Sequence, residues 1–211
     1  TNADKVYNQS LDVFRQNYGE EHPEIANTLN NYAFVKLNMG DTLASLNLHQ
    51  QALEMWRKLL GADHPDIGLT LHNIAAVTFY QGKLASAEEK EREVVGIFKK
   101  NYPEDHPYVG SAYFLLGRIL SAREKYTEAQ PYLQDALNIR RAKFPPQNPL
   151  IGGAYLELGT ALLADNQLEK AEKMLLDAHH IFKNLQSTEA KALQKNRKLL
   201  VSVYEKLGKY A

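Results

Sequence analysis

The chain has 211 residues with 25 basic and 25 acidic side chains, so its formal net charge is zero and no overall field draws it to nucleic acid or an anionic membrane surface. It contains no cysteine, which excludes disulfides and thiolate zinc sites and suits a reducing compartment, so a cytoplasmic setting is expected. No run of about 18 apolar residues is present to form a membrane-spanning helix.

Residues 1–18 read as a single helix, because Phe14 and Tyr18 fall in register with Trp56 and Leu60 further along. The chain then reaches His22-Pro23, the first of four similar dipeptides. His64-Pro65, His106-Pro107 and Asn148-Pro149 follow, 42 residues apart each time. Proline suits the first position of a helix, where its missing N–H would be unpaired anyway, and Glu24 or Asp66 in the first turn suits the positive end of the helix dipole. Asparagine is a good capping residue, so its replacement of histidine at 148 marks these positions as helix starts, not catalysts.

The second copy shows what lies between the prolines. Ile67, Leu71, Ile74, Ala75 and Val77 recur at spacings of three and four, which predicts a helix over 67–80. Gln81-Gly82-Lys83 breaks it, since glycine readily takes the left-handed conformation that closes helices. A second helix is predicted over 84–100, where Leu84, Ala87, Val94, Val95 and Phe98 form an apolar stripe. On it Glu88, Glu89, Glu91 and Glu93 interleave with Lys90 and Arg92, a pattern expected to give exposed ion pairs one turn apart.

The same hairpin is expected at 22–60, 64–102, 106–144 and 148–186. Residues 188–211 then read as the first helix of a further hairpin, with Gly208 four periods after Gly40 and Tyr210 two periods after Tyr126. On this register the chain starts and stops in mid-repeat, and the expectation is one array over 1–211 that is a piece of a longer protein. Ala33, Ala75, Gly117 and Gly159 keep the beat, as do Ser45, Ala87, Ala129 and Ala171, and the bulky series Phe14, Trp56, Phe98 and Phe182. A unit of this length cannot bury its apolar face alone, so the fold class expected is an all-α solenoid of antiparallel helical hairpins with an extended groove.

Nothing in the sequence reads as a reaction centre. There is no Gly-x-Ser-x-Gly, no phosphate-cradling glycine loop and no His-Glu-x-x-His, so neither catalysis nor a cofactor is expected. His179 and His180 are neighbours about 100° apart on a helical wheel and would not share a metal. Lys191, Lys195, Arg197, Lys198, Lys206 and Lys209 give the last helix a basic surface, read as a solvated face.

Tyr113, Leu116, Gly117 and Ala129, with Tyr155, Leu158, Gly159 and Ala171, match the bulky, leucine and small positions of the tetratricopeptide repeat, which the whole chain resembles. The 42-residue spacing, the His-Pro dipeptide and segments such as Thr28-Leu29-Asn30-Asn31-Tyr32-Ala33 resemble the kinesin-light-chain type of that repeat. A fainter likeness, carried by Lys143 to Ile151 and Ser187-Thr188-Glu189-Ala190, is to the carboxy-terminal repeat regions of bacterial serine/threonine protein kinases, although no kinase motif is present.

The resemblance implies a right-handed superhelix whose first helices line a concave face and bind a peptide. Transferred to this sequence, the ligand-facing positions include Asn27, Asn30, Asn31, Phe34 and Asn38 in the first full repeat. The second supplies His72, Asn73 and Tyr80, the third Phe114 and Arg118, and the fourth Glu157. Asn31 and Asn73 occupy equivalent positions and could form a short amide ladder along a peptide backbone, or simply be solvated. Leu115 and Glu157 interrupt that ladder. Phe34, Phe79, Tyr80 and Phe114 would mark a partner site if exposed, though Phe79 and Phe114 suit packing between repeats better. The acidic-terminus clamp of chaperone-binding members is not matched, since Asn30, Phe34, Ser111 and Leu115 hold four of its positions and only Asn73 agrees. The function expected is protein or peptide binding, with self-association, or service as the regulatory part of an enzyme such as a protein kinase, as alternatives.

Overall fold

The structure is a computed structural model and describes residues 2–185 and 189–209. Ser187, Thr188, Tyr210 and Ala211, which carry part of the sequence reading, lie outside the described residues. Among the described residues there are ten helices and no strand, and 83% of those residues are helical. They are α1 (Asn2–Tyr18), α2 (Pro23–Asn38), α3 (Thr42–Leu60), α4 (Pro65–Tyr80), α5 (Leu84–Asn101), α6 (Pro107–Ala122), α7 (Tyr126–Lys143), α8 (Pro149–Ala164), α9 (Leu168–Asn184) and α10 (Ala190–Leu207). Contacts divide the chain into two compact units, residues 1–101 with α1 to α5 and residues 102–211 with α6 to α10.

The dipeptide stations start helices as read. Each of α2, α4, α6 and α8 has proline at its first position. The residue before it is extended and takes a backbone N–H two residues on: His22 Nδ1 from Glu24, His64 Nδ1 from Asp66 and His106 Nδ1 from Tyr108, each at 3.2 Å, and Asn148 Oδ1 from Leu150 at 2.8 Å. Tyr18 and Tyr102 stack on the His22 and His106 rings at 4.2 Å. The far end of each first helix is set by left-handed backbone at Gly40, Gly82 and Gly208, and at the equivalent Glu124 and Asn166 without glycine.

A second regular device clasps each interhelical loop to the end of the next second helix. Lys58 binds Glu21 at 2.6 Å, Lys100 binds Asp63 at 2.8 Å, Lys143 binds Asp105, and in the last copy Asn184 donates to the Gln147 amide at 3.2 Å. The acceptors fall every 42 residues, so the clasp belongs to the repeat unit. Being exposed, each contributes little to stability and mainly fixes the loop's position.

The core sits where the first and second helices of a hairpin cross. Ala33 and Ala75 are fully buried at this point in the first unit, and Gly117 and Gly159 occupy the same register in the second. The residues opposite follow suit. Positions 49, 91, 133 and 175 are His49, Glu91, Leu133 and Leu175, all buried. A methyl group at Gly117 would stand 2.6 Å from Leu133 Cγ, and one at Gly159 2.8 Å from Leu175 Cγ. Branched leucines therefore go with glycine in the last two hairpins, and a flat polar side chain with alanine in the first two.

Ala129, on the other side of the same crossing, is fully buried. Ala129→Glu should strip the second unit of cooperative unfolding or lower its melting temperature sharply, because a charge would replace a methyl group in a filled site. Gly117→Ala should cost about 1 to 3 kcal/mol, and Leu133→Ala on the same chain should remove most of that additional cost. A double-mutant cycle by chemical denaturation checks the pair, and strict additivity would mean the close approach carries no strain.

Candidate functional site

The exposed face of the first helices is where the sequence reading puts the ligand. In the first unit Asn27, Asn31 and Asn38 are exposed on α2, and Phe34 lies among them with 58% of its surface open. On α4 the equivalent face carries half-buried Asn73 and ends at Tyr80, 73% exposed and 5.4 Å from the Phe79 ring. A hydrogen bond of 2.8 Å from Asn30 Nδ2 to Thr70 Oγ1 joins α2 to α4.

Asn30 does not share in that surface as its neighbours do. Its Nδ2 is on Thr70 and its Oδ1 is 2.8 Å from His49 Nδ1, so both ends of the amide are engaged inside the fold. Thr70 in turn donates to the Asp66 carbonyl, completing a chain that runs from α3 through α2 to α4. Burial lowers the His49 pKa to about 4, which keeps the ring neutral.

His72 stands one period after Asn30 and Glu91 one period after His49. The same two positions again meet, with His72 Nδ1 2.7 Å from Glu91 Oε1. Glu91 is 0% exposed, and the His72 side chain is 25% exposed. Burial pulls His72 down, but the charge and hydrogen bond of Glu91 outweigh it and hold the ring above its ordinary value. Burial also raises Glu91, with His72 opposing. The pair therefore retains a single proton across a window extended upward in pH, because losing it would leave a bare buried carboxylate. Glu88 and Glu91, expected to be exposed, are buried, since the register turns them toward the hairpin crossing, and Glu88 forms the expected one-turn pair, with Arg92 at 2.8 Å.

In the second unit Phe114 is half-buried on α6, its ring 3.7 Å from the Arg140 guanidinium and 5.7 Å from that of Arg118. Arg140, 7% exposed, fills the place that Phe14, Trp56, Phe98 and Phe182 hold in the other copies. It donates to the Leu150 carbonyl at 2.8 Å. Burial first, and Arg118 second, lower its pKa to about 10, so it stays charged at neutral pH. Leu115 is buried, and Glu157 is held by Lys195 of α10 at 2.9 Å, so neither continues the amide pair of the first unit. The register pointed to the residues the reading passed over: histidine and glutamate at 49 and 91 where later copies have leucine, and arginine as the missing member of the aromatic series.

Among the described residues no helix is long and apolar enough to cross a membrane, and no group of three His, Cys, Asp or Glu side chains could hold a metal ion. Capped helical hairpins on a fixed period define a helical-repeat interaction protein. The tetratricopeptide repeat family matches residues 24–100 and 108–184, and the chain belongs to that family. It is similar to the crystal structure of BtubC (BKLC) from P. vanneervenii, with a TM-score of 0.81, 19% identity, and coverage of 99% of this chain and 85% of that one. It is also similar to the crystal structure of kinesin light chain nearly identical TPR-like repeats from Podosopora anserina, with a TM-score of 0.75, 22% identity and 90% of each chain covered. The apo form of RapI shares the fold over 88% of this chain and 65% of its own, with a TM-score of 0.74 and 15% identity. Comparison with curated protein sequences gives no match.

The upward shifts of His72 and Glu91 mean that the folded first unit binds more protons than its unfolded chain. For His72 that stabilisation is complete below about pH 6.5 and is lost as pH rises through the raised value. His49 acts in the opposite sense but only below about pH 6.5, since above it the ring is neutral both folded and unfolded. The alkaline limb thus isolates the His72–Glu91 pair. Unfolding followed by Trp56, the chain's single tryptophan and buried in α3, should show a melting temperature that falls as pH rises above about 6.5. His72→Gln should flatten that fall, and an undiminished slope would assign it to other groups.

Proposed function

We propose that this protein-interaction module binds an extended peptide or a partner helix along the exposed face of its first helices, as the recognition part of a larger scaffold or signalling protein in the cytoplasm. The observation that supports this best is the surface of α2 and α4. There, Asn31 and Asn73 stand in register beside exposed Phe34 and Tyr80. An amide can donate and accept at once, which suits the backbone of an extended chain, and an exposed aromatic ring supplies apolar area at low entropic cost. The contribution is positioning, with no reaction centre, nucleic acid or membrane involved.

A second reading, self-association, is favoured by exposed apolar residues on other helices, Val6 and Val13 on α1 and Leu176 and Val201 on α9 and α10. Light scattering across a concentration series separates the two: a mass that climbs with concentration and falls on Val6→Lys with Val13→Lys supports association. For the leading reading, Asn31→Ala with Asn73→Ala should leave the melting temperature in place and weaken binding of a selected peptide by about 1 to 3 kcal/mol. Calorimetry checks this, and an unchanged affinity would move the site off this face.

A further inference from the structure

The first two hairpins share one device at their crossings: a polar residue on the first helix is gripped from behind by a buried polar residue on the second. Asn30 is gripped by His49 at 2.8 Å and His72 by Glu91 at 2.7 Å. The grips differ in what they leave over. Asn30 has both ends of its amide bonded within the fold, whereas His72 has one nitrogen bonded and a quarter of its side chain open to solvent. Among the described residues its Nε2 has no partner, and it is not among the buried unpaired atoms, so it is the accessible nitrogen of the ring. His72 stands beside Asn73 on α4, in the surface proposed above.

We propose that Glu91 is a positioning residue for recognition: its buried carboxylate turns His72 Nδ1 inward, so that the ring offers its Nε2–H to a backbone carbonyl of an extended peptide lying across α2 and α4. This rests on the peptide-binding reading and gives it a specific donor. A neutral imidazole has a single N–H, which Glu91 would take at Nδ1, leaving Nε2 an acceptor. With one more proton the ring donates from both nitrogens, one to Glu91 and one outward, and the pair as a whole carries no net charge. Glu91 thus makes the outward donor available nearer neutral pH, and an alkaline solution converts it to an acceptor that repels a carbonyl oxygen.

Few other charges act on the pair. The field at His72 comes from Glu91 and that at Glu91 from His72. From α2 the nearby polar group is the neutral Asn30 amide. From α3 it is His49, uncharged above about pH 4, and on α5 Glu88 is bound by Arg92 at 2.8 Å. The later hairpins cannot repeat the device, because Phe114 and Leu156 replace the gripped residue and Leu133 and Leu175 the gripping one.

The probe is the best binder selected from a random library of short, end-blocked peptides without titrating side chains, so that only the protein responds to pH. Its affinity for the wild-type chain should weaken roughly tenfold as pH rises from about 6.5 into the alkaline range. Glu91→Gln, which keeps shape and an acceptor for Nδ1 but removes the carboxylate, should flatten this profile, with Trp56 fluorescence reporting that the unit is folded. Asn73→Ala should lower affinity by the same factor at every pH. In the wild-type chain the Nε2 nitrogen resonance of His72 should shift on adding peptide, a readout that needs no variant. An Glu91→Gln profile as steep as wild type, or a His72 Nε2 resonance indifferent to the peptide, overturns the inference while leaving peptide binding intact. Failure to select any peptide, or no loss with Asn31→Ala and Asn73→Ala together, overturns the underlying reading itself.

Discussion

Each hairpin depends on one crossing, where a residue buried on the second helix must be met by something on the first. The requirement is volumetric and electrostatic at once, since a filled interior leaves little slack for a branched side chain and burying a polar group without a partner is costly. The four full hairpins meet it in two ways. Leu133 and Leu175 are met by the absence of a side chain at Gly117 and Gly159, while His49 and Glu91 are met by the hydrogen-bonding groups of Asn30 and His72. Alanine at 33 and 75 is tolerated in the polar version because a planar imidazole or carboxylate needs less room beside it than an isobutyl group.

This division gives the two units different surfaces. Where the crossing is polar, hydrogen bonds reach outward toward the exposed face of the first helices, tying Asn30 to Thr70 and leaving one nitrogen of His72 accessible. Where it is apolar, the same face is occupied by Leu115, by Glu157 bound to Lys195, and by Phe114 beneath Arg140. Arg140 illustrates how a repeat absorbs a substitution. Its guanidinium lies over an aromatic ring and donates to a carbonyl, which offsets much of the cost of burying a charge in a place built for phenylalanine or tryptophan.

The loops and caps vary within a narrower range because they answer to backbone geometry. The cap accepts the same N–H whether it is histidine or asparagine, and the left-handed helix end persists when glycine gives way to Glu124 or Asn166. The lysine clasp survives a one-residue slip, from the register of Lys58 and Lys100 to Lys143, because its side chain is long enough to reach the same acid. The tetratricopeptide family is thus written in this chain as a set of positional demands, several of which more than one residue type can satisfy.

The amino-acid sequence by itself determined the period, the helix starts at Pro23, Pro65, Pro107 and Pro149, the breaks between helices and the class of fold, because caps, breakers and apolar spacing act over a single turn of chain. It also set Asn31 and Asn73 in equivalent places, which is a matter of counting. Only the tertiary structure decided which polar residues face inward. Asn30 and Asn31 are adjacent in the chain and about 100° apart on the helix, and that rotation decides whether an amide is engaged by a buried histidine or left open to solvent. Glu91 looks like one of a row of surface glutamates until α4 is packed against α5 and His72 arrives at its carboxylate, because partners across a hairpin are fixed by crossing geometry that no local pattern encodes.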